Sequence, residues 1–362
     1  MYRHFLVPVD DTDAGIDTVA YALEFARSIG ARITFVQTRI EFEAADAARR
    51  IGEAERKEQT QRTDDAGKSG ECGRSDESVR PAPTPDAAAR PAAEATPAAR
   101  APELPIAKAE AAARAQGVPC DSVRAAGATT ADALAGATTA DALAGAMLAH
   151  DCDLLCVGPA LGDAAAAPPH ACVADRLAAR GIAVLTCAFR RTPAAARAIA
   201  ALYAAHREAA GALGAWLAQL RAAIAAGRAL DADAAHAIAN GLSHLRDGRQ
   251  PKAARRLYAA LRGATGALDA ELGELERQRL RNARMLSGLL EAIHAGIARE
   301  APPVRLEHAL SAYAQCVCEH AGRGEGVIVP AAQRYLADDD WRAIDASLAL
   351  IASGPAAAAR GA

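Results

Sequence analysis

Aromatic side chains are scarce in this sequence. Aromatic residues are 4% of its 362 positions, as five Phe, six Tyr and two Trp. Alanine fills much of the space they leave. It favours helix but buries little area per residue, so packing per residue is modest. No charge-free apolar run reaches about 18 residues, so no transmembrane helix is expected. The run Phe5–Val9 is too short for a secretory leader and stops at Asp10 and Asp11. The expected compartment is the cytoplasm. A formal net charge of −3 leaves no excess of either sign. It gives no electrostatic footprint for nucleic acid or an anionic membrane as partner. The eight cysteines have no metal-ligand spacing, and Cys316-x-Cys318 is too close for a CxxC redox pair. Reduced, mostly buried thiols are expected.

What is present is organised around Phe5-Leu6-Val7-Pro8-Val9. An unbroken apolar run of this length fits a strand covered on both faces. In open parallel sheets ligands sit beyond the carboxyl ends of the strands, where Asp10 and Asp11 fall. Thr12 then caps a helix over 14–29, with Ile16, Val19, Ala20, Leu23 and Ala26 on one face and Gly30 closing it. Ile33–Val36 is a second strand, which completes a β-α-β unit.

Residues 53–103 carry Ala, Pro and charge with almost no large apolar side chain. Such a stretch cannot offset the entropy of ordering and reads as a disordered insertion. Order returns near Leu104, with a helix over 107–116 and a strand over 118–125. The segment 126–134 is then repeated as 135–143. Nine residues is about two and a half helical turns, so the copy cannot keep the face of the original. Strands over 153–158 and 182–189 flank a short helix over 172–180. The alternation defines an α/β fold, a doubly wound parallel five-stranded sheet spanning 1–190.

Tyr2-x-His4-Phe5-Leu6-Val7-Pro8-Val9-Asp10, Gly30-Ala31, Gly127 before a helix and Asp153-Leu154-Leu155-Cys156-Val157-Gly158 occur in that order. Together with the closing strand they resemble the universal stress protein family. The resemblance implies a nucleotide site formed by Val9, Asp10, Gly127, Gly158, Gly162, Cys172 and Val173. Glycines there would let backbone N–H groups approach phosphates. The match departs from the ATP-binding branch in its loop. Gly158-Pro159-Ala160-Leu161-Gly162 is one residue too long, and Ala171-Cys172 replaces the later Gly-Ser. Relatives without the ATP loop act by dimerising through the last strand, here Ala183–Phe189.

From Thr192-Pro193 onward nothing resembles a strand. Helical patterns run over 194–226, 231–245, 253–260, 268–297, 306–319 and 339–351. These define an all-α up-and-down bundle over 193–351, with a disordered tail over 352–362. The bundle resembles the hemerythrin-like HHE domain. The residues that carry this are Tyr203-x-x-His206-Arg207-Glu208, Pro251-Lys252, Leu257-Tyr258 and His320 with Glu325 and Val327–Ala332. The resemblance implies a di-iron centre, but two of its ligand positions hold Arg249 and Arg279 and a third holds Ala253. His206, His320 and Glu325 remain as a remnant metal set. His236, His244, His294 and His308 fall outside the pattern and are expected at the surface.

The reading is a non-enzymatic stress-response protein with degenerate nucleotide and di-iron sites and no cofactor. It acts by forming a homodimer and binding a protein partner. The alternative is a regulatory protein that senses ATP together with iron or oxygen.

Overall fold

The computed structural model describes residues 2–37, 104–124, 139–158, 173–187, 190–247, 250–299 and 303–353. Its strands are β1 (His4–Val9), β2 (Arg32–Gln37), β3 (Cys120–Arg124), β4 (Leu154–Val157) and β5 (Val184–Thr186). All pair in parallel, in the order β3-β2-β1-β4-β5. β1 is central and buried at every position, which is why its sequence lacks polar alternation.

The two faces of β1 feed two cores. Phe5, Val7 and Val9 pack with Ile33 and Phe35 under α1 (Asp13–Ile29) and α2 (Leu104–Gln116). Leu6 packs with Val36, Leu155 and Val157 against α3 (Thr139–Ala149) and α4 (Val173–Ala178). Thr12 caps α1 by accepting from Gly15 N, and Gly30 closes it at φ 70°. The left-handed conformation there is one that glycine adopts without strain.

The chain beyond Thr192 is helical. It comprises α5 (Pro193–Ala225), α6 (Ala232–Asp247), α7 (Gln250–Ala264), α8 (Asp269–Arg299) and α9 (Pro303–Arg323). A π turn (Gly324–Ile328), α10 (Val329–Tyr335) and α11 (Asp338–Ser353) follow. The sequence pattern ends a helix at Glu319. The structure carries the helix on to Tyr335, with the π turn as its one irregularity. The alanines of α2 explain the packing between sheet layer and helices. They leave room for α9 and the π turn to approach closely, and Gly322 and Gly326 lie in that contact.

The insertion expected at 53–103, the first copy of the duplication, and Phe189 of the last strand lie outside the described residues. So does most of the expected tail; α11 runs to Ser353.

Candidate functional site

The sheet order reverses between β1 and β4, and ligands of open sheets bind at such a point. Asp10 stands there, folded onto its own loop. Its Oδ1 accepts from Thr12 N at 2.9 Å and from Thr12 Oγ1 at 2.6 Å. A methyl on Gly15 would fall 1.9 Å from that oxygen, so the Asp10 carboxylate would have to turn away to admit it. At the end of β4, a methyl on Gly158 would meet Thr18 Oγ1 at 2.8 Å and Ala14 O at 3.1 Å. The start of α1 thus lies close across both strand ends. The cavity between them, about 10 Å³, has room for about one water molecule. Val9 is buried and faces the cleft beside Lys108 instead. Val173 opens α4. Gly127, Gly162 and Cys172 lie outside the described residues.

A second cluster lies against the same loop. Lys108 is 3% exposed, His206 4% and Glu325 4%, on α2, α5 and the π turn. The Lys108 ammonium is 3.2 Å from Glu325 Oε1 and 2.7 Å from Asp11 Oδ1. The second is an ion contact rather than an aligned hydrogen bond. His206 Nδ1 donates to the same Glu325 Oε1 at 2.8 Å. Charges this far from water are tolerated only when paired and hydrogen-bonded. Burial pulls the Lys108 pKa down, but Glu325 and Asp11 outweigh it and leave it above the ordinary value. Burial likewise raises Glu325, and Lys108 and His206 outweigh that and hold it below the ordinary carboxylate range. A cleft of about 20 Å³ opens beside them, lined by Val9, Asp10, Ile16, Lys108, Glu325 and Gly326 among others.

His320 lies near but makes no bond to this pair. Its Nδ1 is sealed from solvent without a hydrogen-bond partner among the described residues. Burial, then His206 and Arg279, depress its pKa to about 4. Arg279 is not an inward cation. Its side chain is 37% exposed and pairs with Glu276 at 2.6 Å, one helical turn away. Arg249 lies outside the described residues. His236, His244, His294 and His308 are all exposed.

Sequence reasoning missed Lys108 and Asp17. Lys108 is a lone lysine among alanines, a pattern common on exposed helices; only the approach of Gly322 and Gly326 buries it. Asp17 lies on α1 between Ile16 and Thr18. It is buried, accepting from Tyr203 Oη at 2.9 Å and Arg191 Nη2 at 2.6 Å. Burial raises its pKa, although both bonds oppose the rise. Arg191 also donates to Gln333 at 3.0 Å, and Arg207 pairs with Asp13 at 2.5 Å.

A di-iron centre needs several His and carboxylate ligands converging from facing helices. Among the described residues no group of three or more His, Cys, Asp or Glu is placed to hold a metal ion. The oxygen that Glu325 would offer is contacted by His206 and Lys108 instead. The described residues do not bring together the ligand set such a centre needs. No protein-family model, curated protein or solved structure matches the chain. Among the described residues no helix is long and apolar enough to cross a membrane.

Proposed function

We propose that this chain is a cytoplasmic, non-enzymatic stress-response protein that acts by dimerising and binding a protein partner. Its sheet layer is akin to universal stress proteins. Its helices are akin to a hemerythrin-like HHE domain whose metal centre has been lost. The observation that carries the reading is the Lys108 ammonium against Glu325. A fixed cation of the chain neutralises a carboxylate that the ancestral site would have offered to iron. Glu325, His206 and Asp11 are thereby occupied with their neighbours and are not poised for proton transfer or metal chemistry. The proposed dimer contact is the β5 edge, where a three-residue strand has no further strand beside it among the described residues.

Untagged protein would be assayed for bound metal, for nucleotide released on heating, and for mass by light scattering. The expected result is a dimer without stoichiometric iron or ATP. Two iron atoms per chain would overturn the lost-centre reading, and a strict monomer would overturn the dimer. Iron together with ATP would favour the sensor alternative.

A further inference from the structure

Two thiols at the open edge of the sheet have no part in the reading above. Cys156 on β4 is in register with Leu185 on β5. Cys187 follows Leu185 by two residues, and a two-residue step returns a side chain to the same face. Cys156 and Cys187 accordingly share the core beneath α1 and α2. Their neighbours Val157 and Val184 point to the opposite core. The backbone N–H of Cys187 donates to Val157 O at 2.8 Å, which pins the end of β5 beside β4. Both thiols are free and buried, at 0% and 3% exposure. Cys187 Sγ donates to Leu185 O at 4.0 Å. The nearness of Cys187, together with burial, raises Cys156 above the ordinary thiol value, and the nearness of Cys156 lowers Cys187.

We propose that Cys187 and Cys156 are a peroxide-sensitive pair that closes into a disulfide at the β5 edge. The chemistry balances with hydrogen peroxide as the oxidant. The Cys187 thiolate attacks one peroxide oxygen, the O–O bond breaks, and hydroxide leaves as water after taking a proton. The sulfenic acid on Cys187 is then attacked by Cys156. An S–S bond forms, the S–O bond breaks, and a second water leaves. Two thiols and one peroxide give one disulfide and two waters.

Access and closure both come from the edge. On neighbouring parallel strands, a spacing of about 4.8 Å and a two-residue offset at about 3.3 Å per residue put such Cα atoms about 8 Å apart, against a usual disulfide limit of about 6.8 Å. Cys187 must therefore move inward by about an ångström. A three-residue edge strand gives way more readily than any other strand of this sheet. A second copy paired along β5 would hold that strand in place and slow the closure.

The test treats the full-length chain with hydrogen peroxide and maps it by mass spectrometry after trypsin. Arg176 and Arg180 lie between the two cysteines, so trypsin separates them. Cys187 falls alone on one peptide, while Cys156 shares another with Cys152 and Cys172. The expected product is a linked pair of these peptides, two hydrogens lighter than their sum and reversed by reductant. It is absent from Cys156→Ser and Cys187→Ser variants whose circular dichroism matches the parent. Persistence of the link in Cys156→Ser would overturn the proposal. So would Cys187 recovered unlinked, as thiol or sulfinic acid, while other cysteines of the same sample are oxidised.

Discussion

Gly322 lies so close to α2 that a methyl in place of its hydrogen would stand 2.2 Å from the carbonyl oxygen of Lys108. Backbone meets backbone there, and no side chain can swing aside. Gly322→Ala is expected to cost about 1–3 kcal/mol, the usual penalty of overpacking. Gly288 is the control. It is exposed on α8 with nothing within 4 Å of its added methyl, and alanine there should stabilise by about 0.5–1 kcal/mol. Urea unfolding of both variants measures the contrast. Equal effects would show that the close approach is not what limits this position.

The pair of Lys108 and Glu325 makes a different prediction. Lys108→Met leaves Glu325 buried with only His206 beside it and should cost about 3–5 kcal/mol. Adding Glu325→Gln removes the orphaned charge, so the double variant should be more stable than Lys108→Met alone. A chemical-denaturation double-mutant cycle reads this coupling. Strict additivity would mean that the two groups do not depend on each other.

His320 sets an acid limit. The fold favours its neutral form, with a pKa near 4 against the ordinary 6.5. As pH falls below about 6.5 the unfolded chain binds the proton first. Stability is therefore lost between about pH 6.5 and 4, by at most about 3.5 kcal/mol at about 1.4 kcal/mol per pH unit. His320→Gln should flatten that part of the curve when denaturation midpoints are taken across pH. An unchanged slope would show that other groups carry it.

The sheet was largely legible because its signals are local. An apolar run in β1, helical spacing in α1 and a cap at Thr12 each report on a few neighbouring residues. The caps at Thr192 and Gly30 were legible for the same reason. The site was legible only in part. His206 and Glu325 are in contact although 119 positions apart, and their partner Lys108 lies 217 positions from Glu325. Nothing local to Lys108 signals burial, because the cause is glycine on another helix. Arg279, at a ligand position of the hemerythrin-like resemblance, pairs locally with Glu276 one turn away and is partly exposed.

Arg191 sits on the short crossing from the last strand to the first long helix, where a hinge would otherwise be natural. Its guanidinium reaches back to Asp17 and across to Gln333, and Tyr203 closes on the same aspartate. A graft that exchanged either half of the chain for a foreign one would strand a buried acid without its counterparts. Either half would accept a foreign partner only if Asp17, Arg191 and Tyr203 were carried over as a set.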